Sequence, residues 1–288
     1  MSGLLEPGQV VGNYVVEAEI GLGGMAVVYR VRHRVLESTH ALKVLLPHLL
    51  REEHLLERFL EEAKLQARFR HPSLVRVTDI VSEPGIAGLV MDYLEGETLE
   101  RRLSRHRIEP SRAVRLCHQM TAALSYIHTR GVVHRDVKPG NLLVEPVTGL
   151  GTQVRLMDFG VAKVHLKSRT RTAVAMGTPA YMSPEQVDGS RRVDARSDLF
   201  SLGVVLYEML TGRLPFEGET DYALQQAIVN GRFIGVRRIA PHVSEHLADV
   251  VDKALQVKPE ERFGHARAMA EQIRAVPEAK GRDADDFY

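Results

Sequence analysis

The sequence predicts an α+β fold in which strands dominate the N-terminal third and helices dominate the rest. Residues 14–46 contain three segments whose polar and apolar residues alternate as in β-strands, and residues 74–94 contain two more. From residue 111 onward helical spacing predominates. It predicts a helix over 111–130 that Gly131 ends and a buried helix that ends at Gly212, with a short hairpin between them over about 141–160. At 288 residues, the chain is long enough for one large domain or for two lobes.

The composition is typical of a globular protein and argues against several functional classes. The chain is 44% hydrophobic and 26% charged, and its net charge of +1 provides no overall field for nucleic acid or an anionic membrane. The single cysteine, Cys117, excludes an internal disulfide and fits a reducing compartment. It lies in a helical pattern, so we interpret it as a small core residue, with a reactive thiol as the alternative. No signal peptide is visible, and the longest apolar-rich run, 199–210, is too short to span a bilayer.

The segment HRDVKPGN, residues 134–141, concentrates chemically active groups in a short stretch. It holds the carboxylate of Asp136, the ammonium group of Lys138 and the amide of Asn141. Pro139 disfavours a helix here, so the pattern predicts a loop that carries chemistry. The tripeptide DFG begins at Asp158, 17 residues after Asn141.

Two further features lie upstream of this loop. The segment GLGGMAVV, residues 21–28, can bring backbone N–H groups close to phosphates, although taken alone it favours a plain hairpin. Lys43 stands within an apolar strand, where a buried ammonium group needs an anionic partner; an edge lysine that reaches solvent is the alternative.

In this order and spacing the motifs resemble a protein kinase, specifically the bacterial eukaryotic-like (Hanks-type) serine/threonine kinases. The resemblance covers about residues 10–275 and implies a bilobal fold. The small lobe, about 10–91, would contain a five-stranded antiparallel sheet and one main helix. A hinge at about 92–95 would lead to a mostly helical large lobe, about 96–275, and residues 276–288 would form a polar tail.

The resemblance implies a set of residues that contact ATP. The set is Gly21, Leu22, Gly23, Gly24, Met25, Ala26, Val28, Ala41, Lys43, Glu62, Met91, Asp92, Leu94 and Leu143. Glu62 is taken as the partner of Lys43 because of its spacing from the His71-Pro72 pair, and Glu61 is the alternative. The sequence departs from the family pattern at Ala26, where a third glycine is usual, and at Gln66, where an apolar residue is usual.

The resemblance also implies catalytic roles. Asp136 would act as the base and Lys138 would neutralise charge on the transferred group, while Asn141 and Asp158 would hold Mg²⁺, with Mn²⁺ as a second choice. Thr178 would contact Asp136 and Lys138. His134 and Phe159 would be internal packing and hydrogen-bonding groups and not catalysts, and Glu185 would pair with Arg262.

The implied activity is phosphorylation of protein serine and threonine hydroxyls, including residues of the chain's own activation loop. Thr170 and Thr172 match the positions that bacterial relatives phosphorylate, and Ser168 is a weaker candidate. A phosphate there would bind Arg135, with Lys163 as a second donor. The alternative for this basic segment is an exposed, solvated loop.

Two other functions are compatible with part of the motif pattern. A catalytically inactive pseudokinase that binds partners is the main alternative, and a small-molecule phosphotransferase is disfavoured because such enzymes generally lack the GTPAYMSPE segment. ATP and protein substrates are the expected partners, without nucleic acid, and a homodimer through the small lobe is a further expectation. The chain is expected in the cytoplasm, either by itself or as the cytoplasmic fragment of a membrane-anchored receptor kinase.

Overall fold

A computed structural model describes residues 4–147, 151–158, 179–189 and 193–280. The described chain forms two compact units. The first unit contains residues 4–70 and 75–94, and the second contains residues 71–74 and the described residues from 95 onward.

The first unit is built on a six-stranded antiparallel sheet with the strand order β1-β2-β3-β4-β6-β5. The strands are β1 Val10–Val11, β2 Tyr14–Leu22, β3 Ala26–His33, β4 Thr39–Leu45, β5 Val77–Glu83 and β6 Ile86–Asp92. Two helices, α1 Pro47–Leu50 and α2 Glu53–Gln66, follow β4. The five longer strands and the main helix α2 were predicted, whereas the short β1 and α1 were not.

The strand register separates the two faces of this sheet. Val28 on β3 lies directly opposite Lys43 on β4, which in turn lies opposite Leu89 on β6. Ala41 lies opposite Met91, two residues along the same strands, so these side chains share a face. The other face packs against the N-terminal residues as a buried core that includes Leu5, Val16, Tyr29, Leu42, Val44 and Val90. Because side chains alternate between the two faces along a strand, Lys43 lies on the face opposite this core.

The second unit contains a small sheet with the strand order β7-β8-β9. Its strands are β7 Glu97–Thr98, β8 Leu142–Val147 and β9 Gly151–Leu156. The outer edge of β9 is covered by the Gln119 side chain, which donates to Thr152 O (2.9 Å) and accepts from Val154 N (2.9 Å). The predicted hairpin after the HRDVKPGN loop is thus present, and a side-chain amide satisfies its free edge.

Helices make up most of the second unit. They are α3 Leu99–Leu103, α4 Pro110–His128, α5 Pro184–Val187, α6 Ala195–Thr211, α7 Asp221–Asn230, α8 Val236–Ile239, α9 Glu245–Ala254 and α10 Ala266–Ala275. Short 3₁₀ turns occur at Pro139–Asn141, Pro179–Tyr181, Pro259–Glu261 and Pro277–Lys280. None of the helices in the described ranges has both the length and the apolar character needed to cross a membrane.

Helix α6 forms the centre of this unit. Nearly all its residues are buried, and the Asp194 side chain caps its start by accepting from Arg196 N at 2.8 Å. Gly212 ends it in the left-handed conformation at φ 70°, which glycine adopts without strain. The predicted buried helix ending at Gly212 is confirmed.

Candidate active site

Asp198 on α6 fixes the backbone of the HRDVKPGN loop. Its carboxylate is fully buried and accepts hydrogen bonds from the backbone N–H groups of His134 (2.8 Å) and Arg135 (2.7 Å). The Nε2 atom of His128, at the end of α4, lies 2.7 Å from the same carboxylate. Hydrogen bonds to a buried charge are among the stronger ones in proteins, so the loop is anchored to the most buried helix of the unit.

The Asp136 carboxylate is held by two neighbours from its own loop. Asn141 donates from Nδ2 to Asp136 Oδ2 at 2.6 Å and to the Asp136 backbone carbonyl at 2.8 Å. The ammonium group of Lys138 lies 3.3 Å from Asp136 Oδ2. The Asp136 and Lys138 side chains are 17% and 21% exposed, so this cluster can be reached by a ligand.

His134 supports the loop from within the core. Its Nδ1 atom accepts from the Asp136 backbone N–H at 3.3 Å, so Nε2 carries the proton and donates to the Met157 carbonyl at 3.0 Å. Burial lowers the pKa of His134, although nearby carboxylates oppose this shift, and the ring is therefore neutral at neutral pH. The prediction that His134 is an internal hydrogen-bonding group is confirmed.

Two residues of the site have unusual backbone conformations. Arg135 has φ 66° and Asp158 has φ 52°, in the left-handed region that residues other than glycine adopt infrequently. Two hydrogen bonds hold the backbone of Arg135 in place: its N–H donates to Asp198 at 2.7 Å, and its carbonyl accepts from Gln186 at 3.0 Å. Strain of this kind persists where the fold determines the local geometry, as at many functional sites.

The donor set fits a hard divalent cation. Because Asn141 uses its amide nitrogen on Asp136, its side-chain oxygen is the atom available to a metal ion. A second oxygen ligand would come from Asp158, which follows Met157 on the segment bonded to the Asn141 carbonyl (Met157 N to Asn141 O, 2.9 Å). An amide oxygen and a carboxylate are ligands that suit Mg²⁺ better than softer metals.

The segment SPE, residues 183–185, is joined to the loop and to the core. Gln186 donates to the Arg135 carbonyl at 3.0 Å. Glu185 accepts two hydrogen bonds of 2.8 Å from Arg262, whose side chain is fully buried. Burial raises the pKa of Glu185, but the bonds from Arg262 and Ser197 lower it by more, so the net shift is downward. The predicted Glu185–Arg262 pair is confirmed.

In the first unit, the glycine-rich segment forms the turn between β2 and β3. Gly21 and Leu22 end β2, Ala26 begins β3, and Gly23, Gly24 and Met25 connect them. The Gly23 N–H donates to the Ala26 carbonyl at 2.9 Å, and Leu22 is 72% exposed. A tight, exposed turn with two glycines leaves backbone N–H groups accessible to an anion.

The strand residues predicted to contact nucleotide share one sheet face. Val28, Ala41, Lys43 and Met91 all lie on the face described above, opposite the core. Ala41 and Met91 are buried, and Val28 and Lys43 are half-buried. The small Ala41 and the apolar Val28 flank the lysine with surfaces suited to an aromatic base.

Glu62 faces inward from α2, whereas Glu61 is exposed. Gln66 is also buried, and its amide donates to Glu62 Oε1 at 2.9 Å. The departure from the family pattern at Gln66 therefore has a physical explanation, because this polar residue satisfies the neighbouring buried carboxylate. The pairing of Glu62 with Lys43 stays a prediction.

The remaining predicted adenine contacts are Asp92, Leu94 and Leu143. The Asp92 N–H donates to the Arg76 carbonyl at 3.1 Å, so Asp92 could contact adenine only through its own carbonyl. Leu94 ends the first unit, and Leu143 lies on β8 opposite Thr98 and Arg155. Their adenine contacts stay predictions.

Several predicted residues lie outside the described part of the chain. They are Thr170, Thr172, Ser168, Lys163, Phe159 and Thr178. Their assigned roles stay predictions.

The sequence analysis did not identify Asp198 and His128. The available signal was Asp198, a carboxylate at the start of the mostly apolar stretch 198–210. A buried carboxylate needs donors, and these came from a loop 63 and 64 residues away in sequence.

The match to known proteins agrees with this fold and site. Residues 14–273 match the family model described as protein kinase domain, so the chain belongs to the protein kinase family. Membership of this family implies the use of ATP and a divalent metal ion.

Among curated proteins, the chain is similar to bacterial serine/threonine kinases. It is 38% identical over 278 residues to the serine/threonine-protein kinase pkn3 of Myxococcus xanthus, covering 93% of this chain and 51% of pkn3. It is 36% identical over 286 residues to the serine/threonine-protein kinase PknB of Mycolicibacterium smegmatis, covering 96% of this chain and 45% of PknB. The chain thus spans about half the length of these relatives.

Among solved structures, the PknI kinase domain of Mycobacterium tuberculosis matches with a TM-score of 0.73 at 25% identity. The match covers 94% of this chain and 98% of the PknI chain. The predicted protein-kinase fold and the resemblance to bacterial Hanks-type kinases are confirmed.

Proposed function

We propose that this chain transfers the γ-phosphoryl group of ATP to serine and threonine hydroxyls of proteins, including its own. The observation that carries the proposal is the Asp136 carboxylate. It is held by Asn141 and Lys138 on a loop whose backbone is fixed by the buried Asp198. Such a constellation is what phosphoryl transfer requires from a protein, because catalysis there is mainly positioning and electrostatic stabilisation.

Each group of the loop has a distinct role in this chemistry. Asp136 accepts the hydrogen bond of the substrate hydroxyl, orients its oxygen toward the γ-phosphorus and takes the proton as the bond forms. The bond from the γ-phosphorus to the bridging oxygen of ATP breaks, and ADP leaves with those electrons. Lys138 stabilises the negative charge on the transferred group.

Asn141 and Asp158 are the residues that would hold Mg²⁺, with Mn²⁺ as the second choice. The metal ion would supply positive charge to the phosphate oxygens of ATP. The contribution of this chain is to fix the Asn141 oxygen, which the hydrogen bond from Asn141 Nδ2 to Asp136 does.

The nucleotide-binding groups come mainly from the first unit. Lys43 would bind the phosphates of ATP, with the buried Glu62 as its partner, and the Gly21–Gly24 turn would offer backbone N–H groups. The Asp92 carbonyl and the apolar side chains of Val28 and Met91 would contact adenine. The side chains of Val28, Lys43 and Met91 lie on one face of the sheet, which supports their assignment to nucleotide binding.

Control of the activity is proposed to depend on Thr170 and Thr172. Arg135 lies directly before Asp136, and its Nε atom is buried without a hydrogen-bond partner among the described residues. A phosphothreonine carries about −1.5 to −2 charges and strong acceptor oxygens that would satisfy such a donor. Phosphorylation would then stabilise the loop in its active geometry.

Purified chain incubated with γ-labelled ATP and Mg²⁺ tests the proposal. We expect label in the chain itself, recovered as phosphoserine and phosphothreonine after acid hydrolysis. Label recovered only as phosphotyrosine would contradict the proposed acceptor. Binding of ATP without any transfer, to itself or to added protein substrate, would favour the pseudokinase alternative.

A further inference from the structure

A cationic groove lies on the second unit between α4 and α10, outside the proposed catalytic loop. Its volume is about 530 Å³, and its lining includes Arg130, Arg267, Arg274, Glu271, His71 and His118. Small side chains such as Ala122 and Ala270 line the groove between these charged groups. Three guanidinium groups therefore face one carboxylate.

Two of the arginines are held in place by contacts within the groove. The Arg130 guanidinium stacks 3.6 Å above the centre of the Tyr126 ring and donates to the Tyr126 carbonyl at 2.9 Å. Arg274 donates from Nε to His118 Nε2 at 2.6 Å. Both arginines are exposed, so they are positioned in advance yet open to an anion.

The other described residues that line the groove do not neutralise the charges of Arg130 and Arg274. Glu271 pairs with Arg267 along α10 (3.2 Å), which leaves Arg130 and Arg274 as the excess cations. Burial lowers the pKa values of His71 and His118, and the adjacent Arg130 and Arg274 lower them further. The imidazoles are therefore neutral acceptors at neutral pH, and the net charge of the groove is positive.

The chain itself carries an acidic segment close in sequence to this groove. Residues 281–288 read GRDADDFY, with Asp283, Asp285 and Asp286 within four positions. They follow the turn Pro277–Lys280, which packs against both α4 and α10. The turn is anchored by Glu278, which accepts from the backbone N–H and the hydroxyl of Ser244 at 2.8 Å each.

The reach of this segment matches the groove. An extended chain spans about 3.5 Å per residue, so Asp283 and Asp286 can lie about 10 and 20 Å from Lys280. The stretch of α10 from Arg267 to Arg274 is about 10 Å long. Arg274, in the last turn of α10, marks the end of the groove closer in sequence to Lys280.

We propose that the groove between α4 and α10 binds the acidic segment Asp283–Asp286 of the same chain. Exposed ion pairs are individually weak, but a short tether gives an effective concentration on the order of millimolar. Several weak contacts to Arg130 and Arg274 are then enough to populate the bound state. The occupant is the chain's own tail because its charge, reach and anchoring point all fit.

The chain contains no tryptophan, so Phe287→Trp places a single fluorophore beside the acidic cluster. Acrylamide quenching of this tryptophan in the otherwise full chain reports whether the segment is bound. Adding Arg274→Glu should raise the quenching constant about 2-fold, as expected when a weakly tethered contact is lost. Adding Asp285→Arg instead should have the same effect, and this tail variant leaves the folded units untouched.

The charge-swapped combination, Arg274→Glu with Asp285→Arg, should restore part of the protection of the tryptophan from acrylamide quenching. The matched control Arg238→Glu, an exposed charge reversal on α8, should leave quenching unchanged. Protection should also disappear in 1 M salt, where the screening length is about 3 Å. Equal quenching in all variants would overturn the proposal, and so would protection that rises with protein concentration, which would indicate binding to a second copy.

Discussion

Replacing Arg262 with alanine tests the architecture that supports the active-site loop. In the structure the Arg262 side chain is fully buried and makes two hydrogen bonds of 2.8 Å to Glu185. It also donates to the carbonyls of Gln256 and Val257 at 2.7 Å each, and lies over the Phe200 ring at 4.8 Å. The substitution therefore leaves a buried carboxylate whose one remaining side-chain partner, among the residues that the structure describes, is the Ser197 hydroxyl.

Removing one partner of a buried ion pair destabilises a protein by about 3 to 5 kcal/mol. For a unit of this size, about 2 to 4 °C of melting temperature is lost per kcal/mol. Arg262→Ala should therefore lower the melting temperature by about 6 to 20 °C in a calorimetric or circular-dichroism melt. The matched control is Arg267→Ala, which removes an 80% exposed arginine and should change stability by less than about 0.5 kcal/mol.

The loss of stability in Arg262→Ala should depend on pH, and its direction follows from the pKa of Glu185. The pKa of Glu185 is raised by burial but lowered more by Arg262 and Ser197, and the net shift is below its usual value. The stabilisation from the ionised carboxylate is thus fully present above the unfolded pKa, near 4.3, and is lost as the pH falls through the folded pKa. The stability difference between the wild type and Arg262→Ala should narrow below pH about 4.3. A melting temperature within 2 °C of wild type at neutral pH, or a difference that widens in acid, would refute this reasoning.

Two further predictions concern catalysis and its control. Asp198→Asn keeps the side-chain shape but replaces one of the two accepting oxygens with an NH2 donor, so the N–H group of either His134 or Arg135 loses its acceptor. Transfer should fall about 10- to 100-fold, the equivalent of one hydrogen bond to a charged group, while ATP affinity measured by calorimetry stays constant; an unchanged rate would contradict the anchoring role. Thr170→Ala combined with Thr172→Ala should slow transfer to a separate substrate with ATP affinity nearly intact. Fully active protein in which mass spectrometry finds both threonines unmodified would exclude this form of control.

The sequence predicted the elements whose residues carry local signals. Helices α4 and α6 were predicted because their apolar positions recur with helical period and glycines follow their ends. The strand β1 was missed because a two-residue strand is too short to show alternation. Asp136, Lys138 and Asn141 could be predicted as a group because they lie close together in the sequence. In the structure, Asn141 and Lys138 both contact the Asp136 carboxylate.

Other features could not be predicted because they depend on distant parts of the chain. The role of Asp198 arises from hydrogen bonds to residues 63 and 64 positions away. Gln66 looked like a departure from the apolar pattern, yet it is buried because Glu62 accepts its amide. The left-handed backbone of Arg135 and Asp158 carries no sequence signal, since neither residue is glycine.

Asp136 is the proposed base of phosphoryl transfer, and replacing it separates nucleotide binding from the chemical step. In Asp136→Asn the shape is kept, but the carboxylate that orients the hydroxyl and takes its proton is lost. The transfer rate from labelled ATP should fall at least ~100-fold, the scale of losing a positioned general base, while calorimetry shows ATP affinity close to wild type. Transfer at the wild-type rate in this variant would exclude Asp136 as the base.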